Sequence, residues 1–524
     1  MGNYLNIGND GFASVRRGIY VDKTELIAFI NNKLGTKEKL ICVSRPRRFG
    51  KSFTAQMLGA YYDKGCDSRA LFEDLDIAED PSFETHLNQY NVITLDMTFM
   101  IYHAKHLQDV IWNMEQKVIA EVCRAYPTVP KSDKLIETLA NIAETTGNQF
   151  IVIIDEWDAL FRETKNDTDV QDEYIRWLRG MFKSPLTDKA ILGAYMTGIL
   201  PIKKYGTQSA VSDFKEYTML TPKRLAKYVG FVETEVRNLC DNYGVDFAEM
   251  KHWYDGYSFS QMKSVYNPNS VIEAIQNEEF LSYWARTETY ESLKLYIELN
   301  EDGLKETVVQ MLGGAHVPVD VETFRNDTTS IKRKDDVLTL LIHLGYLAYD
   351  QSAKTAFIPN EEVRQEFIRT VVAGKHQEIA KLIQNSDRLL ELTLNREEEA
   401  VAKIIQEAHS AGTAPTFYNN EQALRSVIRF AYISCVDEYM EIQELPSGIG
   451  YADVVFIPKK GSSKPAMVVE LKWNKKTDSA IRQIKDCSYP QVLEQFTDYI
   501  LLVGINYYEH SKKHSCTIEK FRKI

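Results

Sequence analysis

The sequence predicts an α/β chain with a sheet-forming unit at each end and a mainly helical stretch between them. Three observations carry that expectation. Residues 40–43 form a short apolar run that enters a loop ending Gly50-Lys51-Ser52 and then a helical pattern. Residues 150–154 are continuously apolar and end in Asp155-Glu156, and two further apolar runs, 451–457 and 466–473, flank a turn rich in Pro, Lys, Gly and Ser. Unbroken apolar runs suit strands buried on both faces of a parallel sheet, and two runs across a turn suit a hairpin.

The first run, Leu40-Ile41-Cys42-Val43, with the loop 44–52 and the pattern from Phe53 to Leu58, reads as strand, phosphate loop, helix. In such a loop, backbone N–H groups and the helix N-terminus bind phosphate oxygens, the lysine reaches the outer phosphates and the hydroxyl binds Mg²⁺. Gly50, Lys51 and Ser52 match the last positions of that motif, and Arg48, Phe49 and Phe53 flank them in the expected nucleotide-binding set. The first glycine of the consensus is missing, since Ser44 or Arg45 stands in its place.

Asp155, at the end of the 150–154 run, would hold Mg²⁺ through water, and Glu156 would orient or deprotonate the attacking water. The ordinary alternative is a buried strand with two acidic residues in the loop after it. A third run, 191–198, carries Thr197 near its end as a candidate polar sensor. Arg176 and Arg179 are either arginine fingers or surface salt-bridge residues.

Together, Tyr20-Val21-Asp22-Lys23-Thr24, the phrase Arg45-Pro46-Arg47-Arg48-Phe49-Gly50-Lys51-Ser52, Asp155-Glu156-Trp157-Asp158 and Trp253-Tyr254-Asp255-Gly256-Tyr257 resemble the AAA-ATPase-like family that many bacterial proteins fuse to a C-terminal nuclease-type domain. The resemblance spans nearly the whole chain. It implies ATP as ligand and accounts for the absent first glycine, which that family commonly lacks.

At the other end, Asp453 lies inside the first strand of the hairpin and Glu470-Leu471-Lys472 inside the second, with a helix from 478 to 487 and a third apolar strand, 499–505, beyond them. Alternation places Glu470 and Lys472 on one face. Two carboxylates can hold Mg²⁺ through oxygen, and a neighbouring ammonium can orient water or stabilise charge on a phosphorane-like transition state. Upstream, Leu424, Val427, Ile428, Ala431 and Cys435 recur at helical spacing with Glu421 ahead of them. Glu421 is either a third acidic group of the site or an exposed first-turn residue favoured by the helix dipole.

From about Thr416 onward, these residues resemble the PD-(D/E)XK nuclease superfamily, with Asp453, Glu470 and Lys472 in its Asp, Glu and Lys positions and Ala452 where the motif has proline. The resemblance also implies a supporting role for Gln483, which read without it is a surface residue of an amphipathic helix. Asp453 and Glu470 are the expected metal ligands here, as Ser52 and Asp155 are at the phosphate loop. Mg²⁺ is the expected cation, with Mn²⁺ an alternative at the nuclease site.

Between the two ends the pattern is mostly helical, with the aromatics Trp253, Tyr254, Tyr257 and Phe259 read as packing domain against domain in preference to stacking on bases. Helices followed by the short pair 346–349 and 356–359 suggest a winged-helix-like module. The expected division is a P-loop AAA-ATPase-like domain over 1–221, a helical lid over 222–320, the winged-helix-like module over 321–371, a helical linker over 372–415 and a restriction-endonuclease-like α/β domain over 416–524.

Composition bounds the function. The 524 residues are 44% hydrophobic and 26% charged, as in ordinary globular proteins. The seven cysteines at 42, 66, 123, 240, 435, 487 and 516 show no zinc or disulfide spacing. No apolar run is long enough to span a bilayer and the N-terminus lacks a signal-peptide pattern, so a cytoplasmic location is expected. The net charge of −12 argues against a basic nucleic-acid footprint over the whole chain, but from residue 415 onward 15 Lys and Arg face 13 Asp and Glu. Lys459, Lys460, Lys464, Lys472, Lys475 and Lys476 either track a phosphate backbone or form a solvated face.

The expected protein is an enzyme: a P-loop ATPase coupled to a Mg²⁺-dependent nuclease that hydrolyses phosphodiester bonds in DNA before RNA. Its partners would be ATP and nucleic acid, with no membrane and with homo-oligomerisation left open. The alternative is a nucleotide-dependent switch whose nuclease-like domain only binds nucleic acid or protein.

Overall fold

The structure, a computed structural model, describes all residues except 1, 165–166, 203, 206–207, 210, 229, 260–261, 285–303, 313, 325–332, 374–376, 412–427, 429–430, 433–434, 436–438, 448–449, 459–463, 475–476, 487–498 and 523–524. By internal contact it divides into two units, Met1–Tyr283 with Pro318–Asn360, and Trp284–Val317 with Glu361–Ile524. Among the described residues no helix is long and apolar enough to cross a membrane.

The first unit is organised by a five-stranded sheet in the order Asn91–Asp96, Phe150–Asp155, Ile191–Gly198, Leu40–Ser44, Lys215–Tyr217, with every pairing parallel. Parallel neighbours need crossover connections, and helices on both faces bury the strands completely. That is why Leu40, Ile41, Cys42 and Val43 are all buried and why the run 150–154 has no polar alternation. The strand ending at Thr197 lies between the phosphate-loop strand and the Asp155 strand. Val43 is opposite Thr197 and Ile154 opposite Met196, so three strand ends meet at one edge.

The helix Lys51–Tyr62 starts at Gly50, whose φ of +76° lies in the left-handed region that favours glycine. It packs under the sheet with Met57, Leu58, Tyr61 and Tyr62 buried, and ends where Asp63 turns to extended backbone. Amphipathic helices such as Val110–Ala125 and Thr168–Phe182 cover the apolar core with Val118, Ile119, Val122, Tyr174 and Leu178. Each such fully buried aliphatic side chain stabilises the fold by about 1.5–3 kcal/mol.

Residues 231–283 combine the helices Glu233–Tyr243, Phe247–Tyr254 and Pro268–Asn277 with a three-stranded antiparallel sheet of Phe231–Val232, Met262–Tyr266 and Tyr257–Phe259. The mostly helical reading of this stretch misses those strands, because each is too short to establish a period-two pattern. Trp253 and Tyr254 fill the local core between these helices. The helix Lys334–Leu344 stops at Gly345 and is followed by the antiparallel hairpin Ala348–Asp350 and Thr355–Phe357, the helix-then-hairpin order read from the sequence.

In the second unit, the helices Glu361–Ala373, Gln377–Leu394 and Glu398–Ala411 precede a five-stranded sheet ordered Tyr439–Ser447, Gly450–Pro458, Ala466–Trp473, Tyr499–Tyr508, Lys513–Arg522. The expected hairpin and third strand are there, flanked by strands 439–447 and 513–522 that the pattern did not single out. Ala466–Trp473 and Tyr499–Tyr508 are parallel, so the chain must cross over the sheet, and Thr477–Asp486 supplies the helix of that crossover. Ile481 and Ile484 seat it against Val455, Val468 and Leu502.

Gly256 shows how tightly the middle of the first unit is tied. Its φ is +123°, and a Cβ there would lie 1.9 Å from the Pro359 carbonyl oxygen. The Gly256→Ala variant is therefore expected to lose about 2–4 kcal/mol of stability. Denaturant unfolding checks this, and a midpoint equal to the wild type would refute it.

Candidate functional site

Lys51 begins the loop helix and is buried, with Nζ donating to the Pro46 carbonyl at 2.8 Å and lying 3.9 Å from Glu156 Oε1. Burial pushes its ammonium below the ordinary lysine value, and Glu156, Asp155 and Asp158 push it back up. Asp155 ends its strand facing the same space. Its Oδ1 accepts from Thr197 Oγ1 at 3.2 Å, and burial raises its carboxyl while a hydrogen bond with Ser52 lowers it. The structure thus brings Lys51, Ser52, Asp155, Glu156 and Thr197 together at one sheet edge.

The flanking residues divide. Phe49 is fully buried and meets the Tyr257 ring edge-on at 5.3 Å, while Phe53 is 58% exposed in the first turn of the helix. Arg48 takes a left-handed backbone, φ +68°, and donates to the Tyr283 carbonyl. Arg45, where the consensus glycine is missing, turns inward and is fully buried. Its Nη1 donates to the carbonyls of Ser44 at 2.8 Å and Tyr217 at 3.2 Å, and its guanidinium lies over the Phe259 ring. Burial lowers it to about 10. The loop that lacks its first glycine is thereby fastened by a side chain.

Three residues around this edge were given no role from the sequence. Gly198 follows Thr197, and a Cβ there would lie 2.5 Å from the Trp157 indole. Asp158 is fully buried and accepts from the N–H groups of Ile199 at 3.2 Å and Leu200 at 2.9 Å. Arg162, on the helix Ala159–Glu163, pairs with Glu156 Oε2 and lies 3.4 Å from Asp158 Oδ2. Asp158 and Arg162 carry one sequence signal, proximity to Asp155-Glu156, and Gly198 is marked only by closing the run 191–198. Arg176 and Arg179 are exposed on the helix Thr168–Phe182.

The second cluster sits where two strands part. Pairing between Gly450–Pro458 and Ala466–Trp473 runs from Phe456 opposite Met467 to Val454 opposite Val469. One step further, the Leu471 N–H donates 2.8 Å to the Asp453 carboxylate. Lys472 Nζ bonds Glu470 Oε1 at 2.9 Å, and all three side chains are buried. Opposite Glu470 on the parallel strand is Gly504, which puts no side chain beside the carboxylate, and opposite Lys472 is the buried Asn506. These two are visible in the sequence only as interruptions of an apolar run.

A divalent cation fits this donor set. Glu470 Oε2 is a buried acceptor with no hydrogen-bond partner, and Asp453 supplies a second carboxylate. Among the described residues no group of three or more His, Cys, Asp or Glu gathers, so further ligands would be backbone carbonyls, water or substrate oxygens. Burial and the nearby Asp453 charge raise Glu470 to about 7, with Lys472 opposing. Gln483 is half-buried on the crossover helix. Glu421 lies outside the described residues, as do Lys459, Lys460, Lys475 and Lys476.

Residues 6–207 match the model of the predicted AAA-ATPase family, and residues 419–516 match that of the PD-(D/E)XK nuclease superfamily. The chain joins an AAA-ATPase-like domain to a PD-(D/E)XK nuclease superfamily domain. The AAA-ATPase-like match takes in all three strand ends of the first site's edge, and the PD-(D/E)XK match takes in Asp453, Glu470 and Lys472. The chain is also 25% identical over 295 residues to an uncharacterised protein in the vnfD 5′ region of Azotobacter chroococcum mcd 1. That match covers 54% of each protein, so the chain spans about half the length of the curated relative it matches. The solved structure of the Aeropyrum pernix ORC2 protein in ADPNP–ADP complexes aligns over 67% of this chain and 93% of its own, at 12% identity and a TM-score of 0.29, a likeness on which no argument rests.

The raised Glu470 carboxyl makes a pH prediction for the metal-free PD-(D/E)XK domain. The folded group holds its proton to about 7 and the unfolded group releases it near 4.5. Its contribution to stability is therefore complete below about 4.5 and is lost as the pH rises through 7. Between pH 5 and 8, metal-free protein is expected to lose on the order of 2 kcal/mol, and the Glu470→Gln variant to lose much less. Chelator-treated protein unfolded in denaturant across this range, followed by Trp473 fluorescence, measures the slope; equal slopes would contradict the assignment.

Proposed function

We propose that this protein binds and hydrolyses ATP at its N-terminal site and cleaves phosphodiester bonds, in DNA before RNA, at its C-terminal site. The observation that carries the nuclease reading is the buried trio at the parting strands: two carboxylates, one with an unpartnered oxygen, beside an ammonium. Carboxylates and an ammonium have little packing reason to be desolvated together at strand centres.

In this reading Asp453 and Glu470 hold a divalent cation, Mg²⁺ or Mn²⁺, which when bound supplies positive charge to the scissile phosphate. Lys472 positions the attacking water and stabilises the developing negative charge. The AAA-ATPase-like domain binds ATP through the backbone of the loop, with Lys51 on the outer phosphates and Ser52 and Asp155 as the cation-side groups. Glu156 accepts a proton from the attacking water, and Thr197 holds Asp155 in place. Nucleotide occupancy then licenses or restrains cleavage.

The test compares wild type with Asp453→Ala and Lys51→Ala on single- and double-stranded DNA and RNA, with Mg²⁺ or Mn²⁺, with and without ATP. Asp453→Ala is expected to abolish cleavage and leave ATP binding intact, and Lys51→Ala to weaken ATP binding by roughly tenfold or more. Absence of cleavage on every substrate, with ATP binding retained, would overturn the nuclease reading in favour of a nucleotide-dependent switch.

A further inference from the structure

We infer that Arg162 is a positioning residue for ATP hydrolysis, holding Glu156 so that one chosen carboxylate oxygen faces the phosphates. This rests on the hydrolytic part of the proposed function. Three observations combine. Glu156 takes a left-handed backbone, φ +52°, an unfavourable conformation for a residue with a side chain, and such outliers persist where surrounding contacts impose them. The Arg162 guanidinium engages Oε2 of Glu156, which leaves Oε1 turned toward Lys51, 3.9 Å away. Arg162 is itself held, since its Nε lies 3.4 Å from Asp158, and Asp158 is anchored to the N–H groups of Ile199 and Leu200, directly after the sensor strand.

The consequence is a short chain of contacts from the end of the Thr197 strand through Asp158 and Arg162 to Glu156. Arg162 offsets the desolvation of the buried Asp158 and at the same time engages Glu156, so one guanidinium ties the anchored carboxylate to the one at the site. In the hydrolytic step the water oxygen bonds to the γ-phosphorus while the bond from that phosphorus to the β–γ bridging oxygen breaks. ADP leaves with the electron pair, and the proton of the water passes to Glu156 Oε1. A carboxylate free to rotate would present either oxygen to the water or neither. Arg162 removes that freedom, so its effect belongs to turnover and acts through Glu156.

The test measures ATP binding and phosphate release by the full chain for wild type, Glu156→Gln, Arg162→Met, Arg162→Lys and the double variant Glu156→Gln/Arg162→Met. Arg162→Met is expected to lower kcat by roughly 10- to 100-fold with the ATP Kd within about twofold of wild type. Arg162→Lys, which keeps a positive charge, should fall between wild type and Glu156→Gln. In the Glu156→Gln background, Arg162→Met should cause no further loss. Wild-type turnover in Arg162→Met, or an additional loss in the double variant, overturns the inference while leaving the ATPase reading intact. Wild-type protein that binds ATP without releasing phosphate overturns both. Should Arg162→Met fail to fold, Arg162→Lys decides: full turnover, or lost turnover together with weakened ATP binding, overturns the inference.

Discussion

Desolvation of charge is the constraint on which both halves of this molecule turn. Lys51, Asp453, Glu470 and Lys472 are each less than a tenth exposed, and Asp158 is fully buried. An ionised group in such surroundings is tolerable only if paired, hydrogen-bonded or bound to a ligand. The neighbours of these groups are accordingly specified. Pro46 offers a carbonyl to Lys51, Ile199 and Leu200 offer N–H groups to Asp158, and Leu471 offers its N–H to Asp453. What is left over is one oxygen of Glu470, buried and without a hydrogen-bond partner.

The two sites satisfy this constraint by different sheet geometries. At the N-terminal site, parallel strands all end on one side, so loops from three of them converge without any strand having to bend. At the C-terminal site, the strands separate just beyond Val454 and Val469, and the carboxylate of Asp453 takes the Leu471 N–H there. One site is built at a common edge and the other at a parting of the ladder. The phosphate loop also reaches into the rest of its unit, because Phe49 packs on Tyr257 and the Tyr257 hydroxyl donates 2.6 Å to the Gly345 carbonyl. That contact gives the buried phenylalanine of the loop a physical reason that phosphate chemistry does not supply.

Much of each site was legible in the chain itself. Lys51-Ser52 and Asp155-Glu156 are contiguous pairs at the ends of apolar runs, and Glu470-x-Lys472 carries its own period of two. The residues that escaped are those whose meaning depends on a distant partner. Arg162 looks like any basic residue on a short helix until Glu156 turns back on its left-handed backbone. Gly504 matters only because a parallel strand brings it opposite Glu470. The strands of residues 231–266 were hidden for a simpler reason: two to five residues cannot display alternation.

The sequence by itself determined the fold class and the two family resemblances, and it singled out the acidic and basic groups of each candidate site, because these follow from local patterns of hydrophobicity and from residue types at fixed spacing. Tertiary structure decided strand order, which places Thr197 between Lys51 and Asp155, and it decided which oxygen of Glu470 stays open and which of Glu156 is held. Those outcomes depend on contacts between residues distant in the chain, Asp155 with Thr197, Lys51 with Glu156 and Val43 with Thr197 among them, and no local pattern encodes which distant partner a buried charge will find.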